Sequence, residues 1–357
     1  MEIRRWIAAG LVALGLGAGV GGAAQAADFR VVDYRGQKAL LLHGDIVEGD
    51  AIRFALMRDR VMDFPHGHRV LLLNSPGGSV DEAMLIAELM RHHNFHAVVR
   101  EGEECVSACA SVVFLAGRLH TVEEGGILGQ HSCSVMGVSD YGCNAEMARY
   151  ATTLGTAHAS VAHFVASVGP DDTHWFSRLE ADRWGLTRYF NLGGASQKRP
   201  APRLGSDAAP VLAPMTQGWL VDFQGEGYRA FLRPQSDYGK PVELSLWCRK
   251  SAPSEVLLAL TVEGSPDSLK NAVRGLAVEM GGARHELPVE TISQAGHFAS
   301  LIVRLPGAGT ADLIETQPAL SVSMIDPEGR ESPLATVQTT LGAENLAFAF
   351  DHCDGAA

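Results

Sequence analysis

The first half of the chain contains short apolar runs of the kind that form buried strands. Arg69 to Leu73 is apolar after its first residue, which is typical of a strand covered on both faces of a parallel sheet. Similar runs at Lys38 to Leu42, Ala97 to Arg100 and Ile127 to Gln130 predict three further strands. Together these runs predict a mainly parallel sheet.

Stretches with helical periodicity lie between and after these runs. Those predicted as helices are 49–62, 79–92, 107–116 and the Ala-rich 144–168. Ser79 is a candidate N-cap for the second of them, because Glu82 stands at the capping-box position. The alternation of strand and helix predicts an α/β domain with right-handed crossovers over residues 27–194.

The pattern changes after this domain. Four prolines among Ala, Ser and Gly mark residues 195–214 as a linker. Residues 215–357 then show short alternating segments separated by turn residues, which predict a smaller all-β, sandwich-like domain. Those predicted strands are 219–223, 228–232, 242–247, 256–262, 299–305 and 320–325.

The N-terminal segment has the three parts of a secretory signal peptide. Arg4 and Arg5 precede an apolar stretch over 6–20, and the Ala-Gln-Ala sequence of 24–26 is a small-x-small cleavage signal. We therefore expect residues 1–26 to be removed after Ala26, although an uncleaved N-terminal anchor is the alternative. No later run is long enough for a membrane span, so the chain is predicted to be periplasmic or secreted.

Composition restricts the possible functions. The chain has 357 residues, of which 46% are hydrophobic, so it can bury a core and is not disordered as a whole. Its formal net charge is −12, and no cluster of Lys and Arg is present. Because phosphate backbones are bound through such clusters, we expect no nucleic-acid partner.

Three features of the α/β domain are candidates for acyl-transfer chemistry. Gly77 and Gly78 lie at a strand-to-helix turn, where backbone amides can approach a developing oxyanion, although Pro-Gly-Gly is also an ordinary turn. Ser107, at the start of an apolar helix, is either a nucleophile or an N-cap. His131 follows a short strand, and a single histidine there is more often structural than catalytic.

Taken together, these segments resemble the proteolytic subunit of Clp protease, a member of the crotonase superfamily. The similar segments follow the family's order: Leu42-His43-Gly44-Asp45-Ile46, Leu71 to Ser79, Ser107 with Phe114-Leu115-Ala116-Gly117, His131, and Trp175 to Leu186. The resemblance covers about residues 37–190 and is to exported Clp-like proteins rather than to the cytosolic protease. It implies a Clp/crotonase-like parallel-sheet domain with crossover helices.

The resemblance also implies roles for individual residues. Ser107 would be the nucleophile, and His131 the general base and then the general acid. The amides of Gly78 and Ala108 would form the oxyanion hole. In the same glycine turn, Gly77 and Ser79 would contact substrate.

The third member of the triad departs from the family's pattern. The family's spacing would place it at Gly169, which has no carboxylate. Asp171 and Asp172 follow closely, and either could serve if the loop shifts. The related Ser–Lys dyad of signal peptide peptidase A is excluded, because no lysine lies between residues 39 and 197.

The predicted function is therefore an exported serine hydrolase, a peptidase that needs no ATP and no cofactor. Its substrates would be peptides or unfolded proteins, and it could form a homo-oligomer. A first alternative is a peptide- or protein-binding module that kept the fold and lost efficient catalysis. A second is a crotonase-like thioester enzyme, which is disfavoured because coenzyme A chemistry is not expected outside the cytoplasm.

The six cysteines divide into three pairs. Cys133 and Cys143 bracket a Gly/Ser-rich loop that a disulfide would close, while Cys105 and Cys109 flank Ser107 and could be bridged or remain buried thiols. A zinc site formed by Cys105, Cys109, Cys133 and His131 is the alternative. Cys248 and Cys353 are predicted to form a bridge within the β domain, where free buried cysteines are the alternative.

Overall fold

The computed structural model describes residues 26–193, 218–224, 227–240, 242–249, 251–306, 313–314 and 316–352. The predicted signal peptide apart from Ala26, and the whole of the predicted linker 195–214, lie outside these ranges. The described chain is mixed α/β and contains parallel and antiparallel sheets.

The first half of the described chain, residues 26–193, contains ten strands. They are β1 (Asp28–Tyr34), β2 (Gln37–His43), β3 (Arg69–Asn74), β4 (Phe95–Val99), β5 (Glu104–Val106), β6 (Leu119–Val122), β7 (Ile127–Gln130), β8 (Ser134–Val135), β9 (Val138–Ser139) and β10 (His174–Phe176). The main sheet has the order β1-β2-β3-β4-β6, and a second sheet has the order β10-β7-β5. Strands β2, β3, β4 and β6 are parallel to one another, and β5 is parallel to β7. Strand β1 pairs antiparallel with β2, and β10 pairs antiparallel with β7.

Six α- or π-helices belong to this half, and a short 3-10 helix, Arg58–Arg60, follows the first of them. They are α1 (Asp50–Met57), α2 (Val80–His92), the π-helical α3 (Cys109–Phe114), α4 (Tyr141–Thr153), α5 (Ala159–Ser167) and α6 (Arg178–Arg183). The predicted N-cap is confirmed, because Ser79 Oγ accepts a hydrogen bond from the Glu82 amide at 3.3 Å. The Glu82 carboxylate does not accept a hydrogen bond from the Ser79 amide, as a full capping box would require. It accepts from the Ala51 amide at 2.6 Å instead, and this bond joins α1 to α2.

One predicted helix is wrong. The stretch 144–168 is not a single helix but α4 followed by α5. Gly155 lies between them with φ +89°, a left-handed conformation that cannot continue a right-handed helix. The break at Gly155 therefore divides the predicted long helix into two shorter ones.

The second half is dominated by one antiparallel sheet. Its elements are β11 (Leu220–Gln224), β12 (Gly227–Leu232), β13 (Glu243–Arg249), β14 (Ala252–Glu263), α7 (Pro266–Ala272), β15 (Gly275–Met280), β16 (Ala283–Ala295), β17 (Phe298–Arg304), β18 (Ala319–Ile325), β19 (Glu331–Gln338) and α8 (Ala343–Asp351). The strand order is β11-β12-β13-β14-β17-β16-β15-β18-β19.

The predicted sandwich-like β domain takes the form of one large, curled antiparallel sheet. The cause is the long strand β16, whose residues 283–288 pair with β15 while residues 289–295 pair with β17. A register shift between Val289 and Thr291 marks the change of partner. Such an irregularity bends a strand and increases its twist, so a single strand can serve both parts of the sheet.

The main parallel sheet is covered on both faces. Leu40 and Leu71 belong to an apolar core formed with the helices of the first half. Their neighbours Leu41 and Leu72 point to the opposite face and share a core with residues of the second half, such as Leu244. The β-rich half thus covers the sheet face that the helices leave bare, which explains the unbroken apolar runs of β2 and β3.

A buried network of charges also connects the two halves. The Glu243 carboxylate accepts hydrogen bonds from Arg178 at 2.8 Å, Arg229 at 2.9 Å and Arg233 at 2.7 Å. Arg233 also pairs with Asp182, which lies on α6 together with Arg178. Burial alone would raise the pKa of Glu243, but the three arginines hold it well below its usual value. Glu243 is therefore ionised and fixes α6 against the second half.

Within the described ranges, no helix combines the length and the apolar character that crossing a membrane requires.

Candidate active site

Ser107 lies at a sharp turn between β5 and α3. Its φ is +56°, in the left-handed region that residues other than glycine rarely adopt. The turn is fixed on both sides, because the Ser107 amide donates to the Gly129 carbonyl at 2.9 Å and the Ser107 carbonyl accepts from the Ser111 amide at 2.9 Å. Backbone strain of this kind is found at functional sites, and a serine on a strand-to-helix turn presents its hydroxyl outward.

The alternative role of Ser107 as a helix cap does not apply. The residue at the N-cap position of α3 is Ala108, and no side chain makes a capping hydrogen bond there. The Ser107 side chain is half-buried, and its Oγ has no hydrogen-bond partner within the described chain. The hydroxyl is therefore available for another partner.

The glycine turn after β3 packs directly against Ser107. Gly77 has φ +97°, and a Cβ at this position would lie 2.6 Å from the Val106 carbonyl oxygen and 2.8 Å from Ser107 Cβ. Gly78 has φ +136°, and a Cβ there would lie 2.2 Å from the Ile46 carbonyl oxygen. Only glycine fits at either position, so the two turns approach as closely as their backbones allow.

Two backbone amides at this junction have no acceptor in the described part of the chain: those of Gly78 and Ala108. Ala108 begins the helix, and the first amides of a helix have no intrahelical partner. A Cβ on Gly77 would lie 3.0 Å from the Ala108 nitrogen, which shows how near the two turns are. These amides have the chemistry that an oxyanion hole requires.

His131 follows β7, which lies beside β5 in a parallel pair. Because adjacent parallel strands end at the same edge of a sheet, His131 and Ser107 leave the sheet on the same side. His131 Nδ1 lies 2.9 Å from the Ser132 carbonyl oxygen. A carbonyl can only accept, so this contact assigns the proton to Nδ1 and leaves Nε2 as an acceptor in the neutral ring. No hydrogen bond joins the His131 ring to Ser107 Oγ, both of which the structure describes.

Asp171 and Asp172 lie in the turn between α5 and β10, and both are exposed. The Asp172 carboxylate accepts from the adjacent Thr173 amide at 2.8 Å. Neither carboxylate makes a hydrogen bond or ion pair with His131, although all three residues are described. In the antiparallel pair of β10 and β7, His174 lies opposite Gln130. The turn that carries the two aspartates is therefore near His131, but neither carboxylate contacts the imidazole ring.

Other predicted residues of the turn have structural contacts. Ser79 caps α2, and its amide donates to the Ile46 carbonyl at 2.8 Å. The Ile46 amide in turn donates to the Gly77 carbonyl at 2.7 Å. The strand-to-turn segment that contains Ile46 therefore holds the glycine turn in place.

Gln130 was not among the predicted site residues. Its side chain is fully buried directly before His131, and neither amide atom has a hydrogen-bond partner within the described chain. Most buried polar groups are paired, so an unpaired carboxamide is unusual. The available signal in the sequence was a glutamine at the end of an otherwise apolar strand.

Two disulfides surround these residues, as predicted. Cys105–Cys109 brackets Ser107, and Cys133–Cys143 closes the segment after His131. The zinc alternative, and the buried-thiol alternative for Cys105 and Cys109, are therefore wrong, because a cystine sulfur is no thiolate ligand. Cys248 is also disulfide-bonded, and Cys353, its predicted partner, lies outside the described residues.

A cavity of about 600 Å³ lies elsewhere, in the β-rich half. Most of its lining is apolar, including Val262, Leu269, Phe298 and Met324, and Arg183 of α6 contributes to it. None of the candidate catalytic residues lines this cavity. Pocket size and candidate chemistry therefore point to different places.

Comparison with known proteins assigns no family. No protein-family model and no curated protein matches the chain. One solved structure that matches is invasion associated protein B from Bartonella henselae, at 16% identity with a TM-score of 0.27, covering 38% of this chain and 94% of that one. Another is a serine-to-alanine mutant of the 1510-N membrane-bound stomatin-specific protease, at 16% identity with a TM-score of 0.32, covering 41% and 75%. The chain thus has a stomatin-specific protease among its structural neighbours, at low similarity.

Proposed function

We propose that this chain is an exported serine hydrolase with a Clp/crotonase-like fold, a peptidase that cleaves peptides or unfolded proteins without ATP. The observation that carries the proposal is Ser107, held at φ +56° between a strand and a helix and packed on the Gly77–Gly78 turn. The parallel pairs β2-β3-β4-β6 and β5-β7, with crossover helices, support the fold. The two disulfides support an oxidising compartment outside the cytoplasm.

In the proposed reaction, Ser107 Oγ attacks the scissile carbonyl and passes its proton to His131 Nε2. The amides of Gly78 and Ala108 stabilise the oxyanion of the tetrahedral intermediate. When the C–N bond breaks, His131 returns the proton to the leaving amine. Water, deprotonated by the same histidine, then attacks the acyl-enzyme. As the bond between the acyl carbon and Ser107 Oγ breaks, His131 returns the proton to Ser107 Oγ.

The Ser132 carbonyl performs the orienting task in this scheme. In a Ser-His-Asp triad, the carboxylate holds the ring and fixes the tautomer. Here the 2.9 Å contact of His131 Nδ1 with the Ser132 carbonyl fixes the same tautomer. A neutral carbonyl stabilises an imidazolium less than a carboxylate does, so we expect a slower enzyme than one with a complete triad.

The test is labelling with a fluorophosphonate probe. Wild type should be labelled, Ser107→Ala should not be, and His131→Ala should be labelled about 10²–10⁴ times more slowly. Ser111→Ala is the matched control, because Ser111 lies one helical turn away with a buried hydroxyl that has no partner. If a folded wild type is not labelled, or if Ser107→Ala is labelled equally, the hydrolase proposal is wrong.

A peptide- or protein-binding module is the second candidate. It is favoured by one observation: no hydrogen bond joins His131 to Ser107 or to Asp171 and Asp172, all of which are described. In that case wild type would resist the probe, and wild type and Ser107→Ala would bind an unfolded polypeptide with the same affinity.

A further inference from the structure

A small hairpin projects from the chain directly after His131. Its strands β8 and β9 pair Ser134 with Ser139 and Val135 with Val138, so a two-residue turn of Met136 and Gly137 connects them. Both turn residues have positive φ, +52° and +78°. This is the backbone of a type I′ turn, in which Asn-Gly is the preferred pair. We call residues 133–143 the arm.

The base of the arm is rigid. The Cys133–Cys143 disulfide closes it. The Cys133 amide donates to Asn144 Oδ1 at 2.7 Å, and the Cys133 carbonyl accepts from the Asp140 amide at 2.8 Å. Asp140 Oδ1 also caps α4. The arm is therefore fixed to helix α4, whose first three residues it includes.

The outer part of the arm is apolar and exposed. The exposed fraction is 98% for Met136, 71% for Val138, 60% for Val135 and 80% for Tyr141. Met136 gains no packing in the fold and occupies a φ at which asparagine or glycine would be less strained. Folding therefore does not require this side chain, and four exposed apolar residues within so short a segment fit a role in binding.

The arm lies close to the candidate reaction centre. Met136 is five residues after His131, so an extended chain sets an upper limit of about 17 Å between them. The same length of extended polypeptide contains about five residues. A substrate whose scissile bond lies beside His131 can therefore reach the tip of the arm with residues near that bond.

We propose that the arm binds apolar side chains of an extended polypeptide substrate, within about five residues of the bond that is cleaved. The inference rests on the proposed function and specifies its substrate class. The occupant is a polypeptide rather than a membrane, because Asp140 is the arm's one charged residue and the whole chain has a net charge of −12. Anionic lipid would be repelled rather than attracted.

The test removes the apolar surface without weakening the turn. Met136→Asn creates the preferred Asn-Gly turn, and the triple variant Val135→Thr, Met136→Asn, Val138→Thr keeps residues with high β-propensity. The control is Met62→Asn, which removes a methionine that is 81% exposed on a different segment. Substrates are fluorescein-labelled casein, an unfolded polypeptide, and p-nitrophenyl acetate, which is too small to reach the arm.

For the triple variant, we expect KM for casein to rise about tenfold, because a few partly buried apolar groups supply that much affinity. Turnover of the ester and the rate of fluorophosphonate labelling should remain within about twofold of wild type. For the control Met62→Asn, the KM for casein, the ester turnover and the labelling rate should all remain within about twofold of wild type. An equal loss on casein and on the ester would overturn the proposal, because it would indicate a structural role.

A binding measurement separates this proposal from the proposed function. In the Ser107→Ala background, fluorescence anisotropy should show casein binding about tenfold weaker when the three arm substitutions are added. This result is expected even if wild type does not hydrolyse anything. Unchanged casein binding overturns the role of the arm. The same holds if the substitutions instead abolish retention on phosphatidylglycerol vesicles, or convert an oligomer to a monomer in sedimentation velocity.

Discussion

The Ser107 amide donates a hydrogen bond of 2.9 Å to the carbonyl of Gly129, two residues before His131. The segment that carries the proposed nucleophile is thus bonded directly to the segment that carries the proposed base. A displacement of either strand would change the distance between the two side chains. The β5–β7 pair is therefore the element on which the proposed chemistry depends.

Gly77→Ala should damage the site far more than an ordinary glycine substitution. The new Cβ would lie 2.6 Å from the Val106 carbonyl oxygen and 2.8 Å from Ser107 Cβ, so the two turns must separate. Moving the Ser107 hydroxyl by about 1 Å relative to the other reacting groups should lower the labelling rate about 10²-fold. Fluorophosphonate labelling kinetics provide the measurement.

The control for this substitution is Gly67→Ala. Gly67 also has positive φ, +78°, but a Cβ there would meet nothing within 4 Å. The Gly67→Ala variant should lose about 1 kcal/mol of unfolding free energy through backbone strain, and its labelling rate should equal that of wild type. Equal labelling rates for the Gly77 and Gly67 variants would contradict the close packing of the glycine turn on Ser107.

Replacing Asp171 and Asp172 together by asparagine should leave the labelling rate within about threefold of wild type, since neither carboxylate contacts His131. An orienting aspartate of a complete triad is worth about 10⁴ in rate. A loss of that order in the double variant, with an unchanged melting temperature, would show that one of the two acids moves onto His131 when substrate binds.

Glu243→Gln should destabilise the protein by about 3–5 kcal/mol, because three buried arginines would lose their shared carboxylate. The measurement is the urea midpoint at pH 7. The matched control is Glu290→Gln, whose carboxylate bridges the more exposed Arg249 and Arg304 and should cost less than about 1 kcal/mol. Similar losses from both variants would argue against a special contribution of the buried network.

Stability should fall as the pH drops below about 6.5, owing in part to two buried histidines. His66 Nε2 lies 3.0 Å from His96 Nδ1. Burial lowers the pKa of His66 to about 3, with smaller contributions from His68 and His352. Burial also lowers the pKa of His96 well below its usual value, and the nearby His66, His68 and His120 lower it further.

In the unfolded chain these histidines take up protons near pH 6.5, whereas in the folded chain they stay neutral to much lower pH. The unfolded state therefore binds more protons between these limits, and each histidine contributes about 1.4 kcal/mol of lost stability per pH unit. Urea unfolding at pH 7, 6 and 5 measures the slope. His66→Gln should reduce it, while the exposed control His92→Gln should not; equal slopes for wild type and His66→Gln would refute the assignment.

Local sequence signals predicted the parts of the fold that depend on neighbouring residues. The strand at Arg69 to Leu73, the cap at Ser79 and the helix that ends at His92 are all present. The predicted disulfides at Cys105–Cys109 and Cys133–Cys143 are present as well. The helix predicted over 144–168 was wrong because composition does not reveal that Gly155 adopts a left-handed conformation.

The close approach of Gly77 to Ser107 was implied by a family resemblance but not by any spacing within this chain. The contact arises because β3, β5 and β7 end near one another, which depends on sheet pairing between distant segments. Gln130 was missed for a related reason, since an unpaired buried amide is recognised only when all its neighbours are known. The bonding of His131 to the Ser132 carbonyl likewise depends on a ring orientation that sequence does not specify.

By itself, the sequence determined the alternation of strands and helices, the change to β structure after the proline-rich segment, and the residue types available for acyl transfer. These features follow from periodicity and composition, which act over a few residues. The tertiary structure alone decided that the β-rich half covers the bare face of the parallel sheet and that Glu243 joins the two halves. It also decided that Ser107 meets the glycine turn, because such contacts depend on how segments far apart in the chain pack together.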